Sequence, residues 1–422
     1  MSKTVLLGDI ASLKTGPFGT QLSATEYVDN GIPVINVRNI GYGEIITSDL
    51  EYVGDTTAER LHEHLLRKGD IVFGRKGSVD RHAFIDERYD GWMQGSDCIR
   101  VRILDDSNSH FISHYLKLDS VKRQINSAAV GSTMASLNTD ILSRIQIVLP
   151  DLETQERIEN LFSTIETNID LNTRICAELE VMAKTLYEYW FVQFDFPDEH
   201  GRPYRTSGGA MEWCQELGRA APKGWKVGNL YDIADYINGL ACQNFRPAEG
   251  ETSLPVIKIK EMHDGITNDT ERVSASIPEK NIINDGDILF SWSATLEAIY
   301  WTGGKGGLNQ HIFKVVPKAP YPKEFVYHQL SSYIINFVKM AEARKTTMGH
   351  ITSDHLQQSR IVLPPEPVLR QFHNAVTAPH HMMIKCRKEN RKLEKLRDWL
   401  LPMLMNGQVL IDGELKGAKA NE

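Results

Sequence analysis

The chain has 422 residues and a mass of 47.7 kDa, which at about 150 residues per domain allows two or three domains. Its 41% apolar and 24% charged content excludes a collagenous, disordered or disulfide-rich chain. The formal charge of −8 speaks against a protein that grips a phosphate backbone unaided, unless its charges are segregated.

In chain order, the opening Met1-Ser-Lys-Thr-Val-Leu-Leu-Gly-Asp turns polar too soon to supply the apolar middle of a signal peptide. No later run approaches the roughly 18 apolar residues of a membrane span, so a cytoplasmic chain is expected. Residues 1–150 then read as short strands and turns. Pro33-Val-Ile-Asn-Val-Arg and Asp70-Ile-Val-Phe are β-rich, Gly41-Tyr-Gly is turn punctuation, and His110 to Ala129 has helical spacing. Residues 151–194 read as one long helix, 195–224 as a Gly/Pro-rich linker, and 225–364 as a second α+β domain. In that second domain Gly303-Gly-Lys-Gly-Gly is a turn, and Lys323 to Ala343 again has helical spacing. Residues 365–405 read as a second long helix and 406–422 as a tail.

The second half repeats the first. Ile32-Pro-Val-Ile-Asn-Val-Arg-Asn-Ile40 returns as Leu254-Pro-Val-Ile-Lys-Ile-Lys-Glu-Met262, an offset of 222, and Gly69-Asp-Ile-Val-Phe73 as Gly286-Asp-Ile-Leu-Phe290, at 217. The stretch from Met134 to Pro150 matches Met348 to Pro364 at a steady 214. Helical spacing from Ile158 runs through Leu161, Ile165, Asn168, Asn172, Ile175, Leu179, Met182, Leu186 and Tyr189. Adding 214 gives Phe372, Ala375, Pro379, Met382, Cys386, Glu389, Leu393, Leu396, Leu400 and Met403, the same seam. Residues 151–192 carry nine acids and three bases, and residues 366–404 four acids and eight bases, so the two helices attract. Each is about 60 Å long at 1.5 Å per residue and is the other's obvious partner. Asn168 and Asn172 are candidates for buried polar residues that fix register, with simple drift of the stripe as the competing reading. Pro379 removes a helical hydrogen bond and is expected to break the second helix after Ala378 into two pieces.

Catalytic signatures are missing from the sequence. It has no phosphate-binding Gly-x-x-x-x-Gly-Lys-Ser/Thr, no Gly-x-Gly-x-x-Gly and no Asn/Asp-Pro-Pro-Tyr/Phe; the acid-x-Lys pattern of metal-dependent nucleases occurs only at Glu414-Leu-Lys416. His62-Glu63-His64 lacks the i, i+4 spacing of two metal ligands on one helical face and reads as a solvated turn, and His380-His381 as surface. Cys98, Cys176, Cys214, Cys242 and Cys386 are scattered and read as buried or idle thiols.

The informative chemistry lies in the loops. From Arg67 to His82 there are five Arg/Lys against two Asp, in a segment that leaves a strand through Gly74-Arg-Lys-Gly-Ser78. Such a loop suits phosphate contact, or through Arg75 a bidentate fork to guanine; a merely solvated loop is the competing reading. The corresponding second loop, Ser291-Trp-Ser-Ala-Thr295, has no base, while Asn309 and Gln310 nearby are residue types that read adenine edges. Candidate DNA-contacting residues are therefore Phe18, Thr20, Arg75, Lys76, Ser78 and Arg81 in the first domain. In the second they are Gln243, Asn244, Trp292, Asn309, Gln310, Lys345 and Thr346.

Several motifs, in this order and twice over, resemble the DNA-specificity subunit of a Type I restriction-modification system across essentially the whole chain. They are Gly16-Pro-Phe-Gly19 ahead of Ile32-Pro-Val-Ile-Asn-Val-Arg-Asn, the repeated Gly-Asp-Ile-Val/Leu-Phe, Leu308-Asn-Gln-His-Ile-Phe-Lys, and Val148-Leu-Pro before Gln155-Glu-Arg-Ile. Trp190-Phe-Val-Gln-Phe-Asp195, leading into Pro222-Lys-Gly-Trp-Lys-Val, adds to them. The resemblance implies an α+β fold with two repeated target recognition domains separated by two long antiparallel coiled-coil helices in a pseudo-twofold arrangement. It implies a non-catalytic chain in which each domain reads one half of a split site in double-stranded DNA. It further implies two copies of a modification subunit carrying S-adenosylmethionine for adenine N6-methylation, and a restriction subunit using ATP and Mg for translocation and cleavage. This chain itself would hold no cofactor. Pro379 and the missing base in the Ser291 loop depart from a straight second helix and from a basic contact there.

Tyr187, Tyr189, Trp190 and Phe191, at the end of the first helix, are expected to pack on the neighbouring domain, with docking of the modification subunit as the sharper alternative. The rivals to a DNA reader are a coiled-coil protein–protein adaptor without DNA binding and a stand-alone DNA enzyme with unrecognised chemistry. Neither accounts for two matched domains with divergent loops.

Overall fold

The computed structural model describes residues 3–104, 106–129, 135–293, 295–343 and 353–409. Contacts divide the chain into two units, Met1–Thr167 with Glu394–Glu422, and Asn168–Leu393. The fold is α+β, and the repeat seen in the sequence returns as strand order. In the first unit one sheet runs Ala11–Thr15, Cys98–Ile103, Asp70–Gly74, His82–Phe84, Tyr42–Gly43. Its counterpart in the second unit runs Ala234–Asn238, Ile312–Pro317, Ile288–Ser291, Glu297–Tyr300. A further four-stranded sheet in each unit has two antiparallel pairings and one parallel pairing, the parallel one being Ile32–Ile35 with Met93–Gln94 and Ser253–Ile257 with Gly306–Leu308. A two-stranded pair, Lys3–Leu6 with Gln146–Leu149 and Lys226–Gly228 with Ile361–Leu363, completes each copy.

The repeated Gly-Asp-Ile-Val/Leu-Phe motif has a physical reason at every position. Gly69 and Gly286 take φ of +90° and +86°, a left-handed conformation that a Cβ disfavours. Each following carboxylate accepts the backbone N–H three residues upstream: Asp70 from Arg67 at 2.8 Å and Asp287 from Asn284 at 2.9 Å. Each also pairs with a cation from the neighbouring strand, Arg102 at 2.7 Å and Lys314 at 3.0 Å. The apolar residues then alternate between two cores, as a period of two requires. Ile71 and Phe73 face the helix core of Phe111, Ile112 and Val121, whereas Val72 joins Ile35, Ile85 and Cys98 on the other face. Ile288 and Phe290 likewise face Phe325 and Phe337, and Leu289 faces Ile257, Trp301 and Leu308.

The helical stretch from His110 to Ala129 is two helices, Ser109–Leu116 and Asp119–Ala128, because Leu118 takes an extended conformation between them. Its counterpart, Lys323–Ala343, is one. The first long helix covers Leu152–Tyr187 and widens into a π segment, Glu188–Val192; the second covers Glu366–Met405. Within the second unit they run antiparallel, since Cys176 packs with Met383 and Cys386 while Glu180 pairs with Arg387 at 2.9 Å and Ile169 lies by Asn390. Within the first unit Ile158, Leu161 and Phe162 share a core with Leu400, Leu401, Leu404 and Met405.

Three expectations about these helices are corrected. Pro379 does not divide the second helix, which is continuous from Glu366 to Met405. An interior proline costs about 3 kcal/mol, and here buried neighbours on both sides, Phe372, Val376, His380 and Met383, hold the helix together through it. Asn168 is exposed and Asn172 only partly covered, so neither is a buried register residue. The polar crossing comes from the opposite helix: Asn390 Nδ2 donates to Ile169 O and Thr173 Oγ1, both at 3.0 Å. Finally, beyond Leu179 the seam moves on by one residue, to Ala183, Tyr187 and Trp190 in place of Met182, Leu186 and Tyr189. In the second helix Val376 and Met383 are buried where Ala375 and Met382 had been expected. A straight helix of 3.6 residues per turn drifts about 20° per heptad against a strict seven-residue count, so over the three heptads from Ile158 to Leu179 the lag reaches about 60°, more than half of the roughly 100° between successive residues, and the next residue becomes the nearer one.

The aromatic end of the first helix is core: Tyr187, Trp190 and Phe191 pack on Phe325 and Phe372, and only Tyr189 is exposed. Residues 195–224 carry a hairpin, Met211–Cys214 with Arg219–Pro222, and Phe196 stacks between Tyr204 and Trp225. His380 and His64 are buried rather than on the surface, while His62 and Glu63 are exposed. Four of the five thiols are buried and Cys214 is partly so. Among the described residues, no helix is long and apolar enough to cross a membrane.

Candidate nucleic-acid interface

In both units the candidate loops grow from the same strand ends. The strand Ala11–Thr15 leads into Gly16, where a Cβ would overlap the carbonyl oxygen of Gly95. Strand Ala234–Asn238 leads into Gly239, where a Cβ would overlap the carbonyl oxygen of Asn309. The difference 309 − 95 is again 214, so the turn 95–97 and the turn 309–311 are the same element. One further bond repeats: Arg75 N–H donates to Asp97 O at 2.8 Å, and Trp292 N–H to His311 O at 3.4 Å. Arg75 and Trp292 therefore occupy equivalent positions, as do Gly16 and Gly239.

What these positions display differs. In the first unit the Arg75 guanidinium lies 5.5 Å from the ring centroid of Phe18, which is 55% exposed. Lys76 is exposed and pairs with Asp97 at 3.2 Å, and Ser78 is exposed. Thr20 lies in the turn Gly19–Gln21. The loop is held by Leu137 N–H to Arg75 O at 2.8 Å and Gly77 N–H to Ala135 O at 3.1 Å. Next to it the exposed ring of Tyr42 carries two cations, Arg81 and Lys122, each 5.0 Å from its centroid. Arg75, Arg81 and Lys122 have no carboxylate partner among the described residues, and Nε of both arginines is buried without a hydrogen bond. Stacking on a ring fixes a guanidinium's direction while leaving its donors for an incoming acceptor. Arg81 is anchored by its neighbour His82, whose ring donates to Ser113 O at 3.0 Å; complete burial pushes that imidazole down to about 3, so it stays neutral. A cleft of about 680 Å³ opens beside Tyr42, lined also by Lys117, Lys122, Arg123 and Arg397.

In the second unit Gln243 and Asn244 lie exposed on the turn Cys242–Asn244, joined to the 308–311 turn by Leu240 N–H to Leu308 O at 2.9 Å. Gln310 is partly exposed and touches His311 at 3.3 Å. Trp292 is half-buried, 5.6 Å from the His311 ring and 6.0 Å from that of Phe313. Asn309 is buried, and its Oδ1 accepts from His311 N–H, so it shapes the turn. Across the hairpin Glu297 faces Ser291; burial raises its carboxyl above the ordinary range, and His263 stands 2.8 Å away. Lys345 and Thr346 lie outside the described residues.

Tyr42 and Asp97 escaped the sequence reading, whereas Lys122 is one of the bases, with Arg123 and Arg144, that residues 120–146 add to the first domain. Asp97 was reachable by subtracting 214 from His311. Tyr42 was hidden because Gly41-Tyr-Gly reads as turn punctuation, and its meeting with Arg81 and Lys122 is made only by the sheet and a helix.

A family model described as the Type I restriction modification DNA specificity domain matches residues 2–181 and 222–371. The chain belongs to that family. It is 21% identical over 436 residues to the Type I restriction enzyme HindI specificity subunit of Haemophilus influenzae, an alignment covering 89% of this chain and 94% of the relative. It is 22% identical over 311 residues to the MjaIX specificity subunit of Methanocaldococcus jannaschii, covering 72% and 70%. The crystal structure of the Type-I restriction-modification system S subunit from M. genitalium has the same fold, with a TM-score of 0.61 at 13% identity over 98% of this chain and 97% of that one. The function of the chain is DNA recognition as a specificity subunit, and the adaptor without DNA binding is not favoured. Its role is recognition rather than catalysis.

Proposed function

We propose that each unit reads one half of a bipartite site in double-stranded DNA, and that the two halves differ because the equivalent loops carry unlike donors and acceptors. The observation that supports this most is the exchange of Arg75 for Trp292 on one shared frame. The first unit offers cations steered by aromatic rings, suited to guanine O6/N7 and to phosphates. The second offers the amides Gln243, Asn244 and Gln310, suited to adenine edges. Two copies of a modification subunit, supplying S-adenosylmethionine and adenine methylation, join this chain in the cytoplasm. A restriction subunit adds ATP- and Mg-dependent translocation and cleavage. This chain contributes no catalytic group. Its charge of −8 suits that division of labour, because the partners supply many of the phosphate contacts.

The two long helices act as the ruler for the gap between the half-sites, which for readers on one face of B-DNA are centred about 34 to 36 Å apart or a multiple of it. Deleting seven residues from each helix shortens the ruler by about 10 Å and keeps the seam. The test is to map methylated adenines in cells carrying that deletion. A changed number of non-specific base pairs between unchanged half-sites is expected; an unchanged gap overturns the ruler.

A further inference from the structure

We infer that the first unit holds a divalent transition-metal site, of the zinc class, formed by His110, His114 and Glu166. His110 and His114 stand at i and i+4 on the helix Ser109–Leu116, so their rings share a face and stack with centroids 4.7 Å apart. That face meets the first long helix at Glu166. One oxygen of Glu166, Oε2, lies 3.9 Å from His110 Nε2 and 3.8 Å from His114 Nε2, and the three ligand atoms lie within 4.8 Å of one another. Tetrahedral zinc with bonds of about 2.1 Å separates its ligand atoms by about 3.4 Å, so closing the triad takes a contraction of about half an ångström at Glu166 and of up to about 1.4 Å elsewhere in the cluster, within reach of a rotation of the two imidazoles.

Two observations point to an ion rather than to an ordinary core histidine. His114 is 1% exposed, yet neither of its ring nitrogens has a hydrogen-bond partner among the described residues. A buried imidazole without partners is costly, and a metal bond at Nε2 gives it one. His110, in turn, is oriented by a second carboxylate: its Nδ1 lies 3.0 Å from Glu159 Oε1, which leaves Nε2 to face Glu166. A carboxylate behind a ligating imidazole is the usual device for fixing the ring and raising its basicity. Lys117 competes, because its ammonium sits 3.2 Å from the other oxygen of Glu166.

The duplicated half gives an internal comparison. Adding 214 to His110, His114, Glu159 and Glu166 gives Glu324, His328, His373 and His380. The carboxylate–imidazole pair is kept with its members exchanged, His373 Nδ1 to Glu324 Oε2 at 2.9 Å. The remaining two groups are imidazoles whose Nε2 atoms lie 3.1 Å apart, close enough for one to donate to the other. The second unit thus settles two of these groups against each other, and the first is left with the ligand triad. One ion per chain follows.

The test titrates the purified full chain with Zn²⁺, and with Co²⁺ as a visible-absorption probe, after dialysis against a chelator. One equivalent bound, with Co²⁺ d–d bands and a raised thermal midpoint, is expected. Glu166→Gln and His110→Gln, both at partly exposed positions and checked for folding by circular dichroism, should lose that equivalent. Glu159→Gln should weaken binding about 10- to 100-fold. Lys117→Met should tighten it, a gain that no unfolding imitates, and His373→Gln should leave it unchanged. No binding by the wild-type chain, binding retained by both Glu166→Gln and His110→Gln, or loss in His373→Gln overturns the site.

Discussion

The segment that follows the Gly-Asp-Ile strand is alike in backbone and unlike in chemistry between the two units. After Asp70–Gly74 come Arg75 and Lys76; after Ile288–Ser291 come Trp292 and Ser293. In both, the first of these residues donates its N–H to the turn that passes beneath it, to Asp97 or to His311. The backbone frame is therefore set by residues that the repeat retains: the glycine at positive φ, the aspartate with its strand cation, and a glycine that lets two backbones touch. The side chains on the frame do not set its backbone and are able to differ. On the proposed reading, that separation of frame from display is what would let one fold recognise two sequences.

That comparison breaks most visibly at the frame. Gly16→Val, or equally Gly239→Val, drives a side chain into a backbone carbonyl and should cost stability at the upper end of roughly 1–3 kcal/mol. Urea denaturation of the full chain should show similar losses for the two variants, and a harmless substitution at either would remove the equivalence of these turns. A smaller and one-sided effect is expected from display residues. Arg75→Ala should weaken binding of the assembled complex to its target by about 1–3 kcal/mol and relax base preference in one half-site only. Fluorescence anisotropy over a set of single-base variants reads both, and relaxed preference in both halves would contradict the assignment. The smallest effect is expected at Lys122. Lys122→Ala should lower affinity evenly across sequences and reduce the salt slope of binding by about 1, whereas a base-specific loss would move Lys122 from phosphate contact to readout.

The frame was legible in the sequence because repetition is a statement about spacing. The strands at Pro33 and Asp70, the helix over Lys323–Ala343 and both long helices follow from apolar period and offset alone. The display was legible only in part. Arg75, Lys76 and Arg81 stand out as bases in a short loop, but their partners Phe18 and Tyr42 are near them only through the sheet. Asn309 shows the opposite failure: its residue type suggested base reading, while its place beneath Gly239 makes it a buried turn former. The helix seam was misplaced by one residue beyond Leu179 because a heptad count is an approximation to 3.6. Pro379 was overweighted for a related reason: its local cost was counted without the buried neighbours Phe372, Val376 and Met383 that outweigh it.

The claim that the two frames read unlike bases independently is tested most directly by replacing residues 1–150 with the first domain of another specificity subunit. Methylated adenines are then mapped genome-wide in cells carrying the hybrid with its modification subunits. A new first half-site beside the original second half-site is the predicted outcome. Alteration of both halves, or retention of the original pair, would contradict it.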